Sequence, residues 1–225
     1  MKTIKLIFSL MAVFVLVLST NSTAQASGPD GTWRSGIACQ NIDANNDATV
    51  MLTFYPEGSG TAAISYTDTI PAGGSKNWLT TSPINMPGFP NGFLGGGVVS
   101  SNMPLSCNVN TELQGALGTT ASPYRSGTSG GFSDGQLGTK LYVPQVMREY
   151  YGYNSYVAVQ NTGSSDVTVN VKYYNSETGA DVVAAAESAT IPRQSIKVFY
   201  QVDNTNLGAF LGSMTVEAED GTTEL

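Results

Sequence analysis

The stretch from Trp33 to Gly60 reads WRSGIACQNIDANNDATVMLTFYPEGSG, and the stretch from Tyr153 to Gly179 reads YNSYVAVQNTGSSDVTVNVKYYNSETG. Gln40-Asn41 in the first stretch matches Gln160-Asn161 in the second at an offset of 120 residues. Self-similarity at a fixed distance is the sequence signature of repeated structural units. These two stretches therefore predict a tandem repeat of one domain.

The match continues downstream in the same order. Thr69-Ile70-Pro71 returns as Thr190-Ile191-Pro192, and Phe93-Leu94-Gly95 returns as Phe210-Leu211-Gly212. The segment between the copies is different in character, because residues 115–139 contain 7 Gly and few charged or apolar residues. Such a composition is typical of a flexible connection. The predicted organisation is residues 1–26 as a signal peptide, 27–112 as the first domain, 113–139 as a Gly-rich linker and 140–225 as the second domain.

Both copies show the period-two alternation of half-buried strands, most clearly in Thr49–Tyr55 and Val167–Tyr174. Short, evenly spaced strands without an amphipathic helix predict an all-β fold of two sandwiches. Ala184-Ala185-Ala186 favours a helical turn by composition, but its place in the repeat favours a strand. The predicted strands are Ser35–Gln40, Thr49–Tyr55, Thr61–Tyr66, Ser75–Leu79, Gly97–Ser100 and Leu105–Asn110, then Ser155–Gln160, Val167–Tyr174, Asp181–Ala186, Ser195–Tyr200 and Gly212–Ala218.

The first 26 residues have the three-part pattern of a secretory signal peptide. Lys2 and Lys5 precede an apolar run from Leu6 to Leu18, and a polar stretch ends in Ala24-Gln25-Ala26. The run is too short for a spanning helix, which needs about 20 residues. We therefore expect cleavage and secretion, with no transmembrane segment in the mature chain; an uncleaved membrane anchor is the alternative.

The composition excludes several classes of activity. The chain has 225 residues, 10 Lys and Arg, 17 Asp and Glu, and no His, which gives a net charge of −7. Without histidine, no His-dependent triad, His general base or His-ligated metal forms within this chain. The acidic balance argues against a nucleic-acid partner, because binding to phosphates requires clustered Lys and Arg.

The repeat also has a recognisable pattern. This pattern consists, in order, of an aromatic residue, V-x-V-Q-N, a polar loop, an alternating strand ending in Y-Y or F-Y, I-P and a G-x-x-x-V strand. The order resembles tandem immunoglobulin-like repeats of secreted and cell-surface bacterial proteins. Lys140–Met147 resembles the segment that leads into such repeats. The resemblance implies two immunoglobulin-like β-sandwich domains with a structural or adhesive role and no catalytic set. One departure is that copy two ends at Leu225, around the middle of the strand equivalent to Leu105–Asn110.

The two cysteines, Cys39 and Cys107, both lie in the first copy, where the second copy has Val159 and roughly Thr223. In a secreted protein an even pair most simply forms a disulfide, and two buried free thiols are the alternative. A catalytic cysteine is disfavoured because the chain has no histidine to activate it.

Two acidic features are candidate sites of weaker specificity. The first is the cluster of Glu217, Glu219, Asp220 and Glu224, but a glycosidase needs two carboxylates that face each other in a cleft. The second is Asp43, Asn45 and Asp47, whose oxygens alternate as calcium ligands do, although the loop lacks the Gly and the terminal Glu of an EF-hand. We expect no cofactor, and calcium at this loop is the alternative to a plain turn.

The stretch from Glu149 to Tyr156 is dense in tyrosine, and Tyr150, Tyr151 and Tyr153 are candidate ligand contacts. Aromatic side chains stack on sugars and anchor protein interfaces, but packing of Tyr153 and Tyr156 at an interdomain seam is the alternative.

The predicted function is a non-catalytic secreted or cell-surface structural or adhesive module, with itself, other surface proteins or glycans as partners. It includes a self-assembling envelope or filament component, in which a neighbouring segment completes the last sheet of the second copy. The alternatives are a carbohydrate-binding module that uses exposed tyrosines and a fragment of a larger surface protein.

Overall fold

The computed structural model describes residues 32–114 and 126–225, and the predicted signal peptide lies outside this part. The described chain is all-β, as predicted, and its helices are single turns of 3-10 helix at Asp134–Gln136, Val183–Ala185, Gln201–Asp203 and Thr205–Leu207. None of these helices has the length and apolar character needed to cross a membrane. The strands are β1 Thr32–Asn41, β2 Ala48–Pro56, β3 Ile64–Ile70, β4 Ser75–Leu79, β5 Gly95–Ser101, β6 Leu105–Gln114, β7 Ser126–Gly130, β8 Lys140–Arg148, β9 Tyr156–Gln160, β10 Val167–Asn175, β11 Glu187–Ile191, β12 Ile196–Tyr200 and β13 Phe210–Ala218.

Each copy consists of two antiparallel sheets. The first copy has the strand orders β4-β1-β6-β7 and β3-β2-β5, and the second has β12-β9 and β11-β10-β13-β8. Strands β9 to β13 therefore repeat the pairings of β1 to β5. The copies differ at their margins, because β6 and β7 extend one sheet of the first copy, whereas β8 extends the opposite sheet of the second.

One apolar core lies between the two sheets of each copy. In the first copy, Leu52 of β2 and Trp78 of β4 are each 1% exposed and share a core cluster with Ile37 of β1. In the second copy, Tyr173 of β10 and Phe199 of β12 share the corresponding cluster. The two sheets therefore pack face to face, as period-two burial along their strands requires.

The strand register corrects one detail of the predicted repeat. Cys39 pairs with Lys76 in the first copy, and Val159 pairs with Lys197 in the second. A constant offset of 120 residues, as between Gln40 and Gln160, would match Trp78 to Val198, whereas the register matches it to Phe199. Trp78 is one of the largest fully buried side chains of the first copy.

Three other segments differ from the sequence prediction. Val183–Ala185 forms a 3-10 turn, and the following strand is β11, so the strand predicted at Asp181–Ala186 is wrong. In the first copy, β3 likewise runs to Ile70 instead of ending at Tyr66. The segment 126–130, predicted as part of a linker, forms β7 and pairs with β6, which itself continues to Gln114.

A buried asparagine connects the loops at one end of each copy. Asn41 and Asn161 are 0% exposed. The side-chain amide of Asn161 donates to the carbonyls of Ser165 at 2.8 Å and Ile191 at 3.0 Å, and its Oδ1 accepts the Gly163 amide at 2.8 Å. Asn41 makes the same three kinds of contact, to the carbonyls of Asn46 and Ile70 and from the amide of Asp43. Both copies thus hold the loop after their first strand to the end of their third strand.

The repeated Phe-Leu-Gly has a steric reason. A Cβ on Gly95 would lie 2.2 Å from the Tyr55 carbonyl oxygen and 2.4 Å from the Phe93 ring, and Gly212 has the equivalent contacts at 2.1 and 2.4 Å. These distances are too short for any side chain, so glycine is required where the aromatic ring folds over its own strand.

The two copies contact each other through the turn after β2. The amide of Gly58 donates to the Ile196 carbonyl at 3.3 Å, and the Val198 amide donates to the Glu57 carboxylate at 2.9 Å. The Ser195 hydroxyl, which is buried, donates to the Pro56 carbonyl at 2.7 Å. This turn, residues 56–60, therefore covers the outer edge of β12.

Replacing the buried asparagine tests whether it holds the second copy together. Asn161→Ala is expected to lower the free energy of unfolding by about 3 kcal/mol, because it leaves buried backbone groups without partners. Guanidinium unfolding followed by circular dichroism measures this loss. Asn170→Ala is the matched control, since Asn170 is exposed on β10, and it should cost less than about 0.5 kcal/mol. Equal losses for the two variants would contradict the assignment.

Candidate functional site

The predicted tyrosines lie on the tight turn between β8 and β9, here called the tyrosine hairpin and defined as residues 149–154. The amide of Tyr150 donates to the Tyr153 carbonyl at 3.2 Å, and the reverse bond is 2.9 Å. Tyr151 and Gly152 have φ values of 48° and 78°. Positive φ at both central positions is the geometry of the type I′ turns that connect two-stranded hairpins.

The hairpin presents its rings to solvent. Tyr151 is 86% exposed and Tyr153 is 66% exposed, whereas Tyr150 is half-buried and packs edge-on against Tyr151 at 4.7 Å between ring centroids. Of the two residues for which seam packing was the alternative, Tyr153 is 66% exposed and Tyr156 is 47% exposed. A bulky residue at positive φ is an uncommon and strained conformation, and such residues cluster at functional sites.

The base of the hairpin is anchored by a buried cation. Arg148 is 8% exposed, and its guanidinium donates to the carbonyls of Gly208 at 2.8 Å and Val202 at 3.2 Å. It also pairs with the Glu149 carboxylate at 3.2 Å, while the Glu149 amide donates to the Asn154 side chain at 2.8 Å. The hairpin is therefore fixed to the body of the second copy by charge-assisted hydrogen bonds.

Beside the hairpin, β9 has one open edge. The bonds from Asn161 N–H to the Ser195 carbonyl and from Gln201 N–H to the Ser155 carbonyl show that odd-numbered residues of this segment face β12. Because antiparallel bonding alternates, the backbone groups of Tyr156, Ala158 and Gln160 point the other way. Among the described residues, β12 is the only strand that pairs with β9.

The predicted disulfide is present. Cys39 of β1 and Cys107 of β6 are direct antiparallel partners and form the bond across the strands, closing a separation of 68 residues. The Glu224 carbonyl accepts the Thr162 amide, and the Pro104 carbonyl accepts the Ile42 amide, so Glu224 is equivalent to Pro104. Thr223 therefore lies before the position equivalent to Cys107. The placement of Thr223 in the sequence comparison is therefore wrong.

The four acidic residues near the end of the second copy make separate contacts. Glu217 pairs with Lys140 at 3.0 Å, and Asp220 accepts from the amides of Thr222 and Thr223 and from the Thr223 hydroxyl at 2.6 Å. Mainly because of that hydroxyl, the pKa of Asp220 falls to about 2. The carbonyl of Glu224 faces Thr162, and the amide of Glu219 donates to the Thr168 carbonyl. A shallow cleft of about 300 Å³ lies between residues 162–165 and 222–224.

The candidate calcium loop has the contacts of a turn. Asp43 Oδ1 accepts the amides of Asn45 at 2.8 Å and Asn46 at 2.9 Å, and these two hydrogen bonds lower the pKa of Asp43. Asp47 accepts the Ala72 amide at 3.0 Å, and Asp166 accepts the Arg193 amide equivalently in the second copy. No group of three His, Cys, Asp or Glu side chains suited to a metal occurs among the residues that the structure describes.

A buried polar cluster in the second copy is a further arrangement that the sequence did not reveal. The Tyr173 hydroxyl donates to Glu187 at 2.7 Å, and Asn204 donates to the same carboxylate oxygen at 2.8 Å. Burial, and after it the Glu187 carboxylate, raises the pKa of Tyr173. The Gln201 amide donates to the Phe199 carbonyl, and its Oε1 has no hydrogen-bond partner among the described residues. These groups bond to each other and link β10 to the loop after β12.

Sequence patterns identified the tyrosines and the cysteine pair and predicted an incomplete last sheet in the second copy, but they missed the role of the asparagine. The Q-N pair, repeated in both copies, was the available signal for Asn41 and Asn161. No protein-family model, curated protein or solved structure matches the chain.

Removing the disulfide tests its contribution to the first copy. Cys39→Val combined with Cys107→Val restores the residue type found at Val159 but opens the covalent loop, and it should lower the free energy of unfolding by about 4 kcal/mol. Tryptophan fluorescence is the measurement, because both tryptophans, Trp33 and Trp78, lie in the first copy. An unfolding midpoint equal to that of the oxidised parent would contradict this account.

Proposed function

We propose that the chain is a non-catalytic, secreted or cell-surface structural or adhesive module built from two immunoglobulin-like β-sandwiches, whose contact site is the tyrosine hairpin. The observation that carries the proposal is the exposure of Tyr151 and Tyr153 on a turn whose base is fixed by the buried Arg148. Large rings held in a rigid position provide contact area at a low entropic cost. The disulfide in the first copy is consistent with an oxidising, extracellular compartment.

The arrangement of the copies supports a structural role. The turn 56–60 bonds to β12 through Glu57 and Gly58 and to Ser195, just before β12, through the Ser59 amide. The Lys197 ammonium lies 3.4 Å from the Glu57 carboxylate. These contacts join two sandwiches directly, in addition to the covalent connection. Two sandwiches joined in this way hold the tyrosine hairpin at a defined distance from the point where the chain is attached. An adhesive or envelope module needs such a fixed distance.

Carbohydrate binding is the second candidate. Tyr150 and Tyr151 meet edge-on, and Tyr151 keeps 86% of its surface exposed. Tyrosine faces stack on the apolar faces of sugars, and the hydroxyls provide polar contacts at the ring edge. This candidate uses the same residues as the first and differs in the chemistry of the partner.

A paired variant tests the hairpin. Tyr151→Ala with Tyr153→Ala should weaken binding at least tenfold, because it removes both exposed rings while leaving the buried anchor in place. Two measurements separate the candidates: self-association by sedimentation, which reports a structural module, and binding to an immobilised glycan panel, which reports a carbohydrate-binding module. Tyr142→Ala is the matched control, since Tyr142 is 73% exposed on β8.

Equal binding by the paired variant and by Tyr142→Ala would exclude the hairpin as the contact site. No self-association and no glycan binding by the parent chain would exclude both candidates.

A further inference from the structure

We propose that the open edge of β9 receives an antiparallel strand from another polypeptide, and that this strand is uncharged with apolar side chains at alternate positions. The inference goes beyond the proposed function, because it concerns main-chain pairing at β9 and does not require the tyrosine hairpin. Addition of a strand to an exposed sheet edge is a recurrent mode of peptide recognition, with affinity from the backbone and specificity from alternate side chains.

The first copy shows what occupies the equivalent edge. There β1 pairs with β4 on one side and with β6 on the other, and β6 is antiparallel. The β1 residues equivalent to Tyr156–Gln160 are residues 36–40, and their partners in β6 are residues 106–110, which read SCNVN. In the second copy the corresponding edge of β9 has no strand among the described residues.

The inward side chains of β9 match such a partner. Val159 stands where the first copy has Cys39, and Val157 is only partly buried although it packs against the core. Leu141 and Val143 of β8 are also partly buried apolar residues of this core. A strand with apolar residues opposite Val157 and Val159 would therefore remove apolar surface from water as well as pair the backbone.

β9 also lacks the features that protect other edges. Edge strands usually carry charges, proline or irregular pairing that prevent further pairing. In this chain β3 carries Asp68 and β11 carries Glu187, while β8 carries Pro144 and a register shift opposite β13. The sequence of β9, YVAVQ, has no charge, proline or glycine. Its backbone is thus free to pair.

None of the described strands is available to supply the partner, because each is already bonded within its own sheet. The side-chain pattern of the added strand is inferred from β6, which pairs with all ten residues of β1 in the first copy.

Binding of a synthetic peptide to the unaltered chain tests strand addition at β9. The peptide has the sequence of Leu105–Thr111 with Cys107→Val, so that valine meets Val159. We expect saturable binding by calorimetry, and at least a tenfold slowing of amide exchange at Tyr156, Ala158 and Gln160 on binding. A peptide that also carries Asn108→Pro lacks the N–H opposite Ala158 and should bind at least tenfold more weakly.

Disulfide trapping tests the register. The Val159→Cys protein is mixed with the peptide that retains Cys107, whose sulfur is first joined in a mixed disulfide to a chromophoric thiol. The protein thiol attacks the peptide sulfur, releases the chromophoric thiolate and forms a protein–peptide disulfide. This pair reproduces Cys39 and Cys107, and trapping should be at least tenfold faster than with Ala158→Cys, whose thiol lies on the opposite face of the strand. Ala158 is the more exposed position, so a rate that follows thiol exposure alone would overturn the proposal.

Other results would also overturn it. Amides of Tyr156, Ala158 and Gln160 that are already protected in the monomer would show that the chain itself fills the edge. Protection that appears only with dimer formation would assign the edge to a second copy. Saturable binding without a change at these three amides would place the peptide elsewhere. Loss of tyrosine-dependent adhesion leaves these measurements unaffected, so the two proposals fail separately.

Discussion

A β-strand has hydrogen-bonding groups along both edges, and each edge must be bonded by another strand, by side chains or by water. This constraint accounts for the differences between the two copies. β1 is bonded on one edge by β4 and on the other by β6, whereas β9 is bonded by β12 alone among the described strands. The outer edge of β12 is in turn bonded by the turn 56–60 of the first copy. Edge bonding therefore accounts both for how the copies join and for the open edge of β9 among the described strands.

The comparison of edges depends on the common frame of the two copies. Asn41 and Asn161 use the same amide and carbonyl atoms to tie the same loops, and Asp47 and Asp166 accept the amide of the residue after the repeated Ile-Pro. Because a buried amide must find all its partners in one arrangement, these contacts fix the loop geometry in both copies. The β1–β4 and β9–β12 pairings are equivalent residue by residue over five positions.

Much of this frame was predictable from side-chain patterns. The alternation in β2 and β10 predicted their buried faces, since burial of one face imposes a period of two. The ends of β3 and β11 were misplaced, although Pro71 and Pro192 mark them: each strand stops at the residue before proline, which lacks an N–H to donate. β7 was missed because SGTSG has no large apolar side chain, and only its backbone pairs with β6.

The candidate site was predictable in composition but not in geometry. A tyrosine-rich stretch indicates contact residues, yet nothing in it signals that Tyr151 adopts a positive φ, which favours glycine or asparagine. The open edge of β9 is a non-local property, because it depends on which distant strand lies beside it. The repeated motifs do not indicate that β6 and β8 extend opposite sheets in the two copies.

Amide hydrogen exchange in the free monomer tests the central claim, that the copies share one frame and differ in an unpaired strand edge. The account predicts slow exchange at Gly36, Ala38 and Gln40, whose amides face β6, and fast exchange at the equivalent Tyr156, Ala158 and Gln160. Val157 and Val159, which face β12, should exchange slowly and provide the internal reference. Slow exchange at all the equivalent positions of β1 and β9 would contradict the account.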